Sequence, residues 1–332
     1  MTANTPTPLD ARAQAAKAFA LAALKLDAAE FAPASADASF RRYFRLCHGI
    51  QSWVVMDAPP AQEDCTPFLR VAQLVLDAGL NGPRVIAQDL RQGFLLLSDL
   101  GRQTFLHVLD EDNANALFGE AIKALVQWQL ASHIDALPSY DEALLARELA
   151  LFPDWYVARH LGRVMTQQQQ SWWNETCHVL IARALTQPRV FVHRDYMPRN
   201  LMLSTPNPGV LDFQDAVYGP ISYDVVSLFK DAFLSWPAVR VDMWRKQYWD
   251  AARKAGLPVA VDYPHFCRDF DLMGLQRHLK VLGIFARIYY RDGKPNYLAD
   301  TPRFIRYIRD VIDGDMELEP LARLFDALDL RA

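Results

Sequence analysis

Cysteine is scarce and scattered. The four present, Cys47, Cys65, Cys177 and Cys267, form no C-x-x-C and have no histidine at metal-ligand spacing, which argues against a zinc site or a disulfide framework and reads them as reduced thiols. An excess of one charge is also lacking: 35 Lys plus Arg stand against 39 Asp plus Glu, a net charge of −4. Nothing therefore suggests broad binding to nucleic acid or to an anionic membrane. No run approaches the roughly 18 apolar residues of a membrane span, since even 281–290 is broken by Arg287. The N-terminal stretch has no basic region ahead of its apolar part and carries Asp10, Arg12 and Lys17 within it. That sets aside a secretory signal and suits an amphipathic helix over 9–26.

What is present is an ordinary globular composition, 332 residues at 51% apolar and 22% charged, long enough for two lobes and a substantial core. Its most informative stretch is 190–215. His193-Arg194-Asp195-Tyr196-Met197-Pro198-Arg199-Asn200 spells H-R-D-x-x-x-x-N, in which an Asp can orient an attacking hydroxyl and an Asn can ligate magnesium. Asp212 follows behind the apolar Gly209-Val210-Leu211. Phosphoryl transfer requires positioning and charge neutralisation more than covalent work, and hard oxygen donors such as Asp195, Asn200 and Asp212 suit Mg²⁺. The short apolar runs 190–192 and 201–203 and the turn-forming 204–209 frame these residues as strand, loop and hairpin.

Together HRDYMPRN, LDFQD and the later GPISYD (219–224) resemble the aminoglycoside phosphotransferase and choline kinase family, whose fold is similar to that of protein kinases. The resemblance runs from about residue 31 onward. The texture of SADASFRRYFRL, WVVMDAPP, LLLSDLG and ELALFPDWYV is similar to the bacterial anomeric kinases that phosphorylate N-acetylmuramate and N-acetylglucosamine in cell-wall recycling. The resemblance implies an α+β, two-lobed kinase-like fold. Residues 1–100 would form an N-terminal helix and a β-rich nucleotide lobe ending in a hinge, and 101–332 a mainly helical lobe with the catalytic loop and acceptor site. It implies ATP and Mg²⁺ as cofactors and a small-molecule acceptor. With no membrane-length run, the cytoplasm, where ATP is available, is the expected location, and no protein, nucleic-acid or membrane partner is indicated.

Within that frame the small-residue loop 33–39, including Ser39, is expected to close over the phosphates, and two strands joined at His48-Gly49 to follow. The family's strand lysine and helix glutamate are both missing, for the third strand reads Val54-Val55-Met56-Asp57 and 66–78 holds no Glu. Arg42, or its neighbour Arg41, is expected to supply the phosphate charge instead, and strand alternation lets only one of them face the nucleotide. Leu97, Ser98, Asp99 and Leu100 would form the hinge whose backbone meets adenine. Helices are expected over 113–133 and 141–160, the second around Pro153. Glu148 and Tyr156, Asp215, and Asp271, Gln276 and Arg277 on a polar helical face are the candidate acceptor contacts, while Asp224 is expected to brace the catalytic loop. The expected reaction is transfer to the anomeric C1 hydroxyl of N-acetylmuramate or N-acetylglucosamine, whose acidity asks less of the base. Another hydroxyl acceptor (an aminoglycoside, choline or homoserine) and a nucleotide-binding regulatory protein without turnover remain open.

Overall fold

The computed structural model describes residues 10–35 and 40–331. They divide into a unit of 1–103 with 202–215 and a unit of 104–201 with 216–332.

The first unit is built on a five-stranded antiparallel sheet of order β1-β2-β3-β5-β4, formed by β1 (Glu30–Ser35), β2 (Arg42–His48), β3 (Gln51–Asp57), β4 (Val85–Asp89) and β5 (Phe94–Ser98). Side chains alternate across it. Phe44, Leu46, Val55, Phe94 and Leu96 share the face covered by Ala13, Ala16 and Ala20 of helix α1 (Ala11–Leu24). α1 begins at an Asp10 cap whose side chain accepts from the Ala13 N–H at 2.7 Å, and its alanines let the helix lie close to the sheet. The expected loop 33–39 is corrected in its first part: Pro33 lies inside β1, which pairs only with β2. Proline is tolerated there because an edge strand leaves one row of N–H groups without ladder partners. Helix α2 (Thr66–Asp77) lies between β3 and β4 in the chain and buries Phe68, Val71, Ala72 and Val75.

The second unit is mostly helical. It contains α3 (Phe105–Val108), α4 (Ala114–Leu130), α5 (Glu142–Leu149), a π-helical segment Phe152–His160, and α6 (Gln167–Thr186). Strand β6 (Arg189–Val192) leads into the loop 193–197 and a 3-10 turn, Pro198–Asn200. After the short paired strands β7 (Leu201–Met202) and β8 (Gly209–Val210), β9 (Val217–Pro220) returns antiparallel to β6. Helices α7 (Tyr223–Phe229), α8 (Ala238–Lys254), α9 (Tyr263–Asp292), α10 (Thr301–Ile312) and α11 (Glu319–Ala327) complete it.

The 30-residue α9 is the axis of this unit. It packs against the π-helical segment through Gly283, where an added Cβ would stand 2.3 Å from the Leu151 carbonyl. Helix α11 buries Leu321, Leu324 and Phe325 in the same core as α9 and α10. The expected 141–160 helix is thus two pieces, and the wider π turns carry the chain past Pro153, which cannot donate an α-helical hydrogen bond. Among the described residues no helix is long and apolar enough to cross a membrane.

Candidate active site

In the helical unit β6 delivers the chain into the 193–200 loop, and that loop is held from below. Asp224, in the first turn of α7, is fully buried and accepts the backbone N–H of His193 at 2.7 Å and of Arg194 at 3.0 Å. Burial raises its carboxyl to about 7 against the pull of those two N–H groups. Arg194 needs this grip because its φ of 75° is left-handed for a side-chain-bearing residue, a conformation that costs on the order of 1–3 kcal/mol. Asn200 donates its Nδ2 to the Asp195 carbonyl at 2.9 Å. Tyr196 reaches down to the Ala121 carbonyl at 2.8 Å and pins the loop to α4.

A second layer consists of buried charge. Arg194 donates to Glu148 of α5, Lys280 of α9 lies 2.8 Å from the same Glu148 oxygen, and the other oxygen takes the Tyr140 hydroxyl and, at 3.0 Å, Nε2 of Gln276. Lys280 also reaches the Tyr223 hydroxyl at 3.0 Å, one residue before Asp224. Burial alone would raise the Glu148 carboxyl, but Lys280 and Arg194 pull it down to about 2. Two cations against one carboxylate leave a surplus positive charge that interacts with Asp195.

These contacts correct two acceptor candidates. Glu148 is 5% exposed with both oxygens engaged inside the protein, so it supports Arg194. Tyr156 is buried in the α9 core, stacked 5.7 Å from Phe152, and belongs to packing. Asp271 is ion-paired with Arg245 at 3.6 Å and Lys230 at 3.8 Å. Gln276 and Arg277 are buried, yet Gln276 Oε1 and Arg277 Nη1 have no hydrogen-bond partner among the described residues. Arg277 interacts electrostatically with Asp224, and also with the buried Asp231, whose Oδ2 is likewise unpartnered. Burial pushes the Asp231 carboxyl up to about 6. Unpartnered polar atoms in a protein interior are costly.

In the sheet unit Asp212 also has a left-handed backbone, φ 62°, and its Oδ1 accepts from Gln214 Nε2 at 2.9 Å. Phe213 packs on Phe68 of α2 at 5.1 Å between ring centroids, and Asp215 is exposed in the turn that follows. Arg42, the expected phosphate cation, lies on the α1 face and is tied to Asp57 at 2.6 Å and to Asp10. Asp57 also holds Arg12. Arg41 stands 3.4 Å from Glu63, and its charge interacts with Asp212 and Asp215.

At the expected hinge Leu97 is buried in β5 and Ser98 Oγ accepts the Arg84 N–H at 2.8 Å. Asp99 takes Arg45 on both oxygens, at 2.6 and 3.0 Å, while Arg45 also reaches the Gly101 carbonyl. Burial raises the Asp99 carboxyl, but the bonds from Arg45, Ser52 and the Gly101 N–H outweigh it and leave it below the usual range. Leu100 is half-buried beside it. Ser39 lies outside the described residues.

Sequence reasoning missed Lys280 as a partner of Glu148, and Tyr140, Tyr223, Asp231 and Glu63 altogether. The available signal was weak: charged residues at positions of α9 that its periodicity assigns to the core.

The chain matches the model of the phosphotransferase enzyme family over residues 30–263. It is 58% identical over 300 residues to the N-acetylmuramate/N-acetylglucosamine kinase of Pseudomonas aeruginosa, covering 90% of this chain and 89% of that one. It is 49% identical over 296 residues to the kinase of the same name from Neisseria meningitidis, covering 88% of each. Among solved structures it shares its fold with choline kinase from Streptococcus pneumoniae (TM-score 0.64, 12% identity, 90% of this chain and 99% of that one). An ADP-bound aminoglycoside phosphotransferase is similar too (TM-score 0.59, 14% identity, 91% and 99%). The fold is kinase-like, a small antiparallel sheet unit and a larger helical one, and the chain is a kinase that belongs to the phosphotransferase enzyme family.

Proposed function

We propose that this kinase transfers the γ-phosphoryl group of ATP to the anomeric C1 hydroxyl of N-acetylmuramate and N-acetylglucosamine, releasing the sugar 1-phosphate and ADP, as a step of peptidoglycan recycling. The observation that carries the acceptor is the 58% identity, over nine-tenths of each chain, to a relative named for those two sugars. The loop that holds Asp195 supports the chemistry. Asp195 accepts the hydroxyl proton as O1 attacks the γ-phosphorus, and the bond to the oxygen left on ADP breaks. Asn200 Oδ1 and the Asp212 carboxylate are the oxygen donors for magnesium, a hard cation that this donor set fits. When bound, magnesium neutralises charge on the transferred group.

Adenine takes the backbone of the Leu97–Ser98–Asp99–Leu100 segment. For the acceptor, Arg277 and Gln276 supply a guanidinium nitrogen and an amide oxygen that have no hydrogen-bond partner among the described residues, as a carboxylate-bearing amino sugar requires. Asp215 and Asp271 are the remaining candidates for sugar hydroxyls.

ADP release with ATP and magnesium, measured over N-acetylmuramate, N-acetylglucosamine, an aminoglycoside and choline, tests this reading. Turnover on the two amino sugars, abolished in Asp195→Asn, is expected. Turnover on a cationic acceptor alone contradicts the sugar assignment, and ATP binding without turnover on any acceptor contradicts catalysis.

A further inference from the structure

We propose that Arg41, held by Glu63, binds the phosphates of the nucleotide and so replaces the strand lysine and helix glutamate that this chain lacks. The inference rests on the reading of the chain as an ATP-dependent kinase and concerns residues of the sheet unit alone.

Strand β3 offers no cation. Met56 is fully buried, and Asp57, also fully buried, is neutralised from the α1 side by Arg12 and Arg42. Alternation along β2 then separates the arginines. Arg42 shares the face of Phe44 and Leu46, which α1 covers, while Arg41 has the parity of Tyr43 and Arg45 on the opposite face. Arg45 is committed to both oxygens of Asp99.

Arg41 emerges just before β2, with its guanidinium 3.4 Å from Glu63 and the two side chains 16% and 17% exposed. Glu63 precedes α2, and Phe68 of that helix carries the ring of Phe213. The start of α2 and the Asp212–Asp215 turn are thereby brought together, and Arg41 interacts with both carboxylates of the turn. An arginine set among Glu63, Asp212 and Asp215 has the place that a strand lysine has beside its glutamate and the metal-binding aspartate. Its planar fork also matches two phosphate oxygens at once.

The test is equilibrium binding of ATP with magnesium and, separately, of adenosine, without acceptor, to the full-length protein and to Arg41→Ala, Arg41→Lys and Glu63→Gln. Arg41→Ala is expected to weaken ATP by about tenfold or more and to leave adenosine unchanged. Arg41→Lys should recover part of the loss. Glu63→Gln should weaken ATP by a smaller factor and add nothing in the Arg41→Ala background. Thermal melting confirms that each variant folds, and Arg41→Gln replaces the alanine variant where it does not.

ATP affinity within about twofold of wild type in Arg41→Ala, or an equal loss for adenosine, overturns the assignment. Wild-type protein that binds neither ATP nor adenosine overturns the nucleotide reading itself, and this inference with it.

Discussion

The 193–200 loop and the edge of the sheet near β2 both use arginine held by carboxylate, but in different surroundings. Arg194 is gripped by Glu148, which Lys280 also holds, in the interior of the helical unit, where the Glu148 side chain is 6% exposed. Arg41 and Arg42 sit at the margin of the sheet unit, Arg42 on an Asp10 that is 57% exposed. A buried pair is worth little net against an apolar replacement but costs a great deal to break halfway, because one charge is stranded. The Arg42–Asp10 pair, half-exposed, is screened and breaks cheaply. The 193–200 loop is thus fixed by groups that cannot be removed singly, whereas Arg42 holds a carboxylate that water reaches.

The largest effect expected is chemical. Asp195→Asn should lower kcat by about 10²–10⁴-fold with a melting temperature close to that of wild type, since the loop bond from Asn200 is made to the Asp195 backbone carbonyl and not to its carboxylate. Next comes the buried grip. Glu148→Ala strands Arg194 and Lys280 and should cost about 3–5 kcal/mol of stability in urea, with Glu148→Gln losing less; a loss under about 1 kcal/mol would erase the contrast between the two regions.

The same carboxylate gives the comparison a pH signature. Its pKa drops from an ordinary 4.5 to about 2 on folding, so its contribution is present above about pH 4.5 and disappears as pH falls towards 2. Asp224 has the opposite sign: its pKa rises from 3.8 to about 7, so its contribution is present below its ordinary value and is lost as pH rises through 7. Urea unfolding of wild type and Glu148→Gln at pH 5 and pH 3 should show a smaller acid loss in the variant. The smallest effect belongs to Arg42→Ala, which leaves Arg12 on Asp57 and should cost about 1 kcal/mol with ATP affinity unchanged. A tenfold loss of ATP affinity there would reverse the roles of the two adjacent arginines.

The strand, loop and hairpin around the proposed catalytic residues were legible because the pattern is local: Asp195 and Asn200 lie five residues apart, and the elements are adjacent in the chain. The β2–β3 hairpin and α1 were legible for the same reason. Glu148 was not, because its partners Arg194 and Lys280 stand 46 and 132 positions away, and no periodicity links a charged residue on one helix to another on a distant one. A carboxylate among aromatics reads as a sugar shelf until the buried cations are seen. The choice between Arg41 and Arg42 was open for a different reason. Alternation establishes that they face apart, but which face meets the nucleotide depends on where α1 packs. The end of β1, from Pro33, was read as loop because Pro33 and its small neighbours carry the composition of a turn, and only pairing with β2 makes them an edge strand.

The most direct measurement is the phosphorus NMR spectrum of the product formed from N-acetylmuramate, ATP and magnesium. The account predicts a phosphomonoester whose phosphorus couples to the anomeric proton, placing phosphate on O1. A product phosphorylated on any other hydroxyl, or no product under conditions where ATP binds, would contradict it.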